Sequence, residues 1–173
     1  MHTEQLSGKE RFFDDDDIIV SKTNLKGHIT YANDVFLKIA DFHENEVLGK
    51  PHSILRHPDM PRAIFKLLWD TIQDGRELFA YIKNRTKNGD YYWVLAHATP
   101  SRDASGDICG FHSNRRVPDR RIIDEEIAPL YQQLRAEEER HANAKEGLQA
   151  SCRLMDAHLQ KLGKSYDEYV HTL

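Results

Sequence analysis

Leu78-Phe79-Ala80-Tyr81-Ile82-Lys83-Asn84-Arg85-Thr86-Lys87-Asn88-Gly89-Asp90-Tyr91-Tyr92-Trp93-Val94-Leu95-Ala96-His97-Ala98-Thr99-Pro100-Ser101 is two runs rich in aromatic and branched residues, joined by Asn88-Gly89. Asn-Gly between such runs signals a tight hairpin, because both residues tolerate the positive φ that the turn requires. Asp90, just past the turn, is expected at an exposed hairpin tip. A second turn, Asp103-Ala104-Ser105-Gly106-Asp107, sends the chain back as Ile108 to Arg116. Upstream, the β-branched run 18–23 and the stretch 28–32 flank Asn24-Leu25-Lys26-Gly27 and read as another hairpin.

Helical signals fill the gap between the two hairpins. Asn33-Asp34 offers caps for Val35, Phe36, Leu37 and Ile39. Short pieces follow over 44–48 and 52–55, and Pro61 is placed for the first turn of a helix carrying Ile64, Phe65, Leu68, Trp69 and Ile72 at helical spacing. Gly75 ends it. Two strands, several short helices and three strands make an antiparallel α+β domain over 18–117, preceded by a polar tail or cap over 1–17.

Composition shifts in the remainder, 118–173. From about Asp124, Glu, Gln, Arg, Lys and Ala dominate, and Ile123, Ile127, Leu130, Leu134, Leu148, Met155 and Leu162 keep one heptad phase, interrupted by polar residues at Glu137 and His141. This predicts a long C-terminal helix with the seam of a possible coiled coil, able to form a homodimer or to dock on the domain. Pro129 places the start of regular helix near Ala128.

The 173 residues are 39% hydrophobic and 30% charged, with a net charge of −4, which disfavours a bulk electrostatic grip on nucleic acid. Cys109 and Cys152 lack zinc or disulfide spacing, the N-terminus lacks an apolar signal region, and no run is long enough to span a membrane. A cytoplasmic setting is expected. No nucleophile–base pair or phosphate-cradling loop is visible, so the chain is not expected to be an enzyme.

Specific motifs go beyond this order. Tyr31-Ala32-Asn33-Asp34-Val35-Phe36, Leu55-Arg56-His57-Pro58-Asp59-Met60-Pro61, Trp69, and Lys83-Asn84-Arg85-Thr86-Lys87-Asn88-Gly89-Asp90-Tyr91-Tyr92-Trp93 together resemble the PAS domains of the aerotaxis-receptor (Aer) type, over 18–116. The resemblance implies a PAS fold, a five-stranded antiparallel sheet with short helices on one face. It implies a noncovalently held FAD whose redox state reports redox or oxygen status to a C-terminal helix, with a chemotaxis receptor or other signalling protein as partner. By position, Asn33, His52, Arg56, His57, Asp59, Trp69 and Asn84 look like the cofactor-binding set. Leu78 departs from the family, which carries a tryptophan there.

Chemistry bears on the same residues. Arg56 and His57 stand in a loop where a cation could meet a pyrophosphate, or serve as ordinary loop polars. Trp69 could be cofactor wall or core. Asn84 lies in a strand, where an inward amide needs a partner. Asn33 could simply cap a helix. Arg115, placed where related light-sensing domains carry a signalling glutamine, is a candidate sensor of charge on the ring, or a surface salt bridge. A light-driven adduct lacks its cysteine, the region reading Ser53-Ile54-Leu55-Arg56-His57. A haem-binding PAS gas sensor, with one of ten histidines as ligand, and a ligand-free interaction module remain as alternatives.

Overall fold

The computed structural model describes residues 6–173; the first five residues of the expected N-terminal tail lie outside them. Strands β1 (Ile19–Thr23), β2 (Ile29–Ala32), β3 (Leu78–Arg85), β4 (Tyr91–Arg102) and β5 (Ile108–Arg116) form one antiparallel sheet in the order β2-β1-β5-β4-β3. The connection between β2 and β3 holds α1 (Asp34–Ala40), α2 (Glu44–Val47), a 3₁₀ turn (His52–Leu55) and α3 (Arg62–Gln73). The strand and helix order read from the sequence is thus the observed one.

Local chemistry explains the boundaries. Asn33 caps α1 by accepting from the Phe36 amide, and Asp41 closes it at φ 62°. Pro61 stands immediately before α3 rather than inside its first turn. Gly75 turns the chain at φ 81°. Even-numbered residues of β3 and β4 face α3. Odd-numbered Tyr81 and Trp93 face the other way and are buried too. Both faces of this half of the sheet are therefore covered, which is why β3 reads as nearly continuously apolar.

The second cover is the C-terminal segment. It begins with a helical turn at Arg120–Ile122 (α4) and a π-helical turn at Ile123–Ile127. It continues as α5 (Ala128–Glu139), α6 (Ala144–Leu162) and α7 (Tyr166–His171). The helical stretch is broken at 140–143, where Asn143 caps α6 by accepting from the Lys145 and Glu146 amides. Ile123, Ile127, Leu130, Leu134 and Met155 of the expected seam are buried in the same core as the sheet, whereas Leu162 is exposed. Apolar residues at seam spacing have found their partner within the chain. Tyr131 Oη donates to the Tyr81 carbonyl at 2.7 Å, satisfying a backbone acceptor of edge strand β3.

A buried carboxylate anchors this cover. Glu138 is 3% exposed; its Oε2 lies 3.1 Å from Arg62 Nε and 3.0 Å from Arg135 Nη1, and its Oε1 accepts from the Ala63 amide at 3.3 Å. It caps α3, which has no side-chain cap of its own. Gly147 of α6 passes so close that an added Cβ would lie 2.5 Å from the Glu138 carbonyl oxygen.

The N-terminal segment is a cap. Tyr91 exchanges backbone hydrogen bonds with Lys9 and Arg11. Asp90 is not the exposed tip residue expected: it is buried, accepting from Ser7 Oγ at 2.6 Å and Arg11 Nε at 2.7 Å.

Glu138→Ala should leave Arg62 and the α3 amide unpaired and cost about 3 kcal/mol of stability. The neighbouring exposed pair-former varied in Glu139→Ala should cost at most about 1 kcal/mol. Urea unfolding of the two variants checks the contrast.

Candidate functional site

The open space between the sheet and α3 is a cleft of about 330 Å³, within the usual range for small-molecule sites of roughly 300–1,000 Å³. Ile82 and Asn84 of β3, Ala96 and Ala98 of β4, and Phe111, Ser113 and Arg115 of β5 form its floor. Phe65, Leu68, Trp69 and Ile72 of α3 form its roof, and His52, Ser53 and Arg56 one wall. Alternation along the strands makes this possible: two alanines at successive inward positions of β4 leave room that larger residues would fill. Trp69 meets Phe111 edge to face at 5.4 Å and packs against Gly27, where a Cβ would come within 2.9 Å of the indole.

At the inner end lies Arg115, 4% exposed and, among the described residues, with no carboxylate beside it. Its Nη2 is 2.9 Å from Ser21 Oγ and 2.8 Å from His52 Nε2. A guanidinium only donates, so His52 Nε2 accepts and its proton sits on Nδ1. Burial, reinforced by Arg115, pushes His52 down to about 3, so it is neutral at pH 7. Burial pushes Arg115 down to about 10, which leaves it charged. Its Nη1 has no partner. Tyr92 is fully buried opposite Asn84 in the β3–β4 ladder, where burial pushes its hydroxyl up to about 12. At the mouth, the Arg56 guanidinium stacks 3.8 Å from the Phe65 ring centre with its Nε buried and unpaired. Among the described residues Lys26, Arg56 and Arg115 line the cleft and no carboxylate does, in a chain of net charge −4. A cation-lined, apolar-walled cavity with unsatisfied buried donors is suited to a flat, partly apolar ligand bearing negative charge.

Of the eight residues singled out in the sequence, His52, Arg56, Trp69, Asn84 and Arg115 line this cleft. Asn33, His57 and Asp59 do not. Asn33 ties α1 to β1, accepting from the Val20 and Phe36 amides and donating to the Ile18 carbonyl. His57 is buried against Tyr91, its Nδ1 accepting from the Asp59 amide, and burial holds it down to about 4. Asp59 is exposed and paired with Lys83 at 2.6 Å, beside α5. The surface salt bridge considered for Arg115 is excluded by its burial. Ser21, Phe65 and Phe111, which also line it, were not singled out. Ser21, inward like Ile19 two residues before it, and the alternating alanines of β4 were signals available in the sequence. Neither cysteine lines the cleft.

Comparisons with known proteins bear on the fold that carries this cleft. Residues 29–115 match the family described as PAS fold. The chain is 44% identical over 125 residues to the aerotaxis receptor of Escherichia coli, covering 70% of this chain and 24% of the receptor. It is 34% identical over 80 residues to phototropin-1A of Oryza sativa subsp. japonica, covering 46% of this chain and 9% of that protein. It therefore spans a quarter or less of these relatives. Among solved structures, the light state of the Aureochrome1 LOV photoreceptor superposes with a TM-score of 0.55 at 23% identity, covering 66% of this chain and 88% of that one. The Cys71Val variant of the fungal photoreceptor VVD gives 0.52 at 21%, covering 57% and 75%. These structures bear on the fold alone.

The neutral histidines set a pH dependence. Their folded-state values lie below the ordinary 6.5, so between about 6.5 and about 4 the unfolded chain takes up protons that the folded chain refuses. Stability is fully present above pH 6.5 and falls as pH drops through that window. In His52→Asn the slope of unfolding free energy against pH should be shallower by at most about 1.4 kcal/mol per unit, measured by urea titrations between pH 7 and 4.5.

Proposed function

The chain belongs to the PAS family, and on that footing we propose that it is a sensor domain of signal transduction that holds FAD in the cleft and passes the redox state of the flavin to the C-terminal helices. The observation that carries the reading is the inner end of the cleft: a buried guanidinium with an unpaired Nη1 and, among the described residues, no carboxylate beside it, with the buried amide of Asn84 lining the same cleft. These donors suit the polar edge of a flavin ring, and Phe65, Leu68, Trp69, Ile72 and Phe111 supply apolar walls. Arg56 and Lys26 at the mouth would meet the pyrophosphate.

A bound flavin supplies reversible uptake of electrons, with a change of charge and protonation on its ring. The chain's part is to hold that charge next to Arg115, in a dry site where a charge difference is felt strongly. Arg115 is the penultimate residue of β5, which runs through Val117-Pro118 into Asp119, the cap of α4. A shift of its side chain is thus placed to move the start of the C-terminal helices. The aerotaxis receptor among the relatives supports an oxygen- or redox-linked output, a chemotaxis-type signalling partner and a cytoplasmic setting. A homodimer would use a surface other than Ile123–Leu134, which is spent within the chain. His52 Nε2, the nitrogen an iron would take, is engaged by Arg115, which counts against His52 as the ligand in the haem alternative.

The purified chain should be yellow and release FAD on denaturation. Asn84→Ala and Trp69→Ala should each lower flavin occupancy while the exposed Gln149→Ala does not. A Soret band, or colourless protein that takes up no FAD, sinks the reading. Amide exchange over 119–134 should differ between oxidised and reduced protein, and the difference should shrink in Arg115→Ala that still holds FAD; an unchanged difference removes Arg115 from the route.

A further inference from the structure

The C-terminal helices fold back on themselves at 140–143. α5 ends at Arg140, which already has helical angles of φ −66° and ψ −17°, and α6 starts from its cap Asn143. His141 and Ala142 stand between them. This stretch contains neither glycine nor proline, so nothing in its backbone opposes a helix. The heptad phase also runs straight through the break. Leu130, Leu134, Glu137, His141, Ala144 and Leu148 follow one another in steps of four and three, and Ser151 and Met155 continue the series. Two helices joined by a loop have no need of a shared phase, because each can turn its apolar side to the domain independently. A straight helix does need it, since only a common phase keeps the apolar sides of both halves in line.

The surfaces that receive α6 and α7 all precede the break: α6 packs on α3 and α5, and α7 on β3. Met155, Tyr166, Tyr169 and Val170 enter the core of the sheet there, and Gly147 lies against the Glu138 carbonyl. A second copy of the chain offers the same surfaces. The hold is also incomplete. Ser151 Oγ, His158 Nε2 and Tyr169 Oη are buried without a hydrogen-bond partner among the described residues, and each such group weakens the docked state.

We propose that α6 and α7 form an exchangeable arm and that the partner it fits is a second copy of this chain. Residues 128–162 straighten into one helix about 50 Å long. Two such helices lie antiparallel about a two-fold axis at the former break. α5 stays on its own domain, and the arm of each copy takes on the other the place it leaves on its own. The continuous phase is the condition for this, because one straight helix then presents α5 to its own domain and α6 to the neighbour on the same side. The exchanged dimer keeps the docked contacts and replaces a loop by helix. It leaves Ile123–Leu134 where they are and does not depend on what the cleft holds.

The test is light scattering on the full chain as its concentration is raised to the millimolar range, with amide exchange on the separated species. A dimer should form in which exchange over 144–171 matches the monomer, while the amides of 140–143 exchange at least about tenfold more slowly because they have entered a helix. Asn143→Ala removes the cap that starts α6 and should raise the dimer fraction. Ala142→Gly disfavours helix at the break and should lower it. A dimer whose 140–143 amides exchange as in the monomer, or whose fraction neither variant changes, overturns the inference. So does a chain that stays monomeric throughout, in wild type and in whichever of the two variants folds.

Discussion

A cation buried without an anion is the constraint around which this domain is arranged. Arg115 comes from β5, its acceptors from β1 and from the 3₁₀ turn, and Phe36 of α1 lies 6.0 Å beneath it. Taking a guanidinium out of water is costly unless its donors are met. Ser21 and a neutral His52 meet part of that demand, and the histidine can do so only by giving up its own charge. The remaining demand points into the cleft. The chemistry of the site and the packing of the sheet are thus one problem: the group that orders three elements also places positive charge on the cavity wall.

The second organising charge has the opposite sign and lies outside the cleft. Glu138 is as buried as Arg115, but it is fully paired, by two arginines and a helix amide. Pairing of this kind specifies position more than it adds stability. It sets where α5 crosses α3, and the apolar residues Leu130, Tyr131 and Leu134 then complete the outer face of the sheet. Arg115 lies on the strand that leads to the beginning of this helical segment, and Glu138 fixes its middle against α3.

Much of the domain was legible along the chain. The turns at Asn24–Gly27 and Asn88-Gly89, the cap at Asn33 and the stripe from Ile64 to Ile72 are local signals, each set by the φ range or hydrogen-bonding of a few adjacent residues, and they appear where the sequence places them. The motifs from Leu55 to Pro61 and Lys83 to Trp93 pointed to the family, and four of the seven residues carried over from that resemblance meet at one cleft with Arg115, which was chosen from its place on the last strand. Asn33, His57 and Asp59 stand elsewhere, because adjacency in a motif does not decide which way a side chain faces. His57 and Arg56 are consecutive, yet the chain turns one toward Tyr91 and the other toward Phe65.

The sequence by itself determined the strand and helix order, the antiparallel α+β class and the amphipathic character of residues 120–162. Those properties depend on periodicity and on turn residues that act within a few positions of themselves. It did not determine what the C-terminal seam would pack against, since apolar residues at heptad spacing serve a second copy or the sheet equally well. Only the tertiary structure decided that, and with it the burial of Asp90 and the meeting of Glu138 with Arg62 across 76 residues. The direction of Arg115 belongs to the same class: inward or outward on β5 depends on which face of the sheet the other elements cover. Those outcomes are long-range, because a buried charge is tolerated only where distant residues supply its partners.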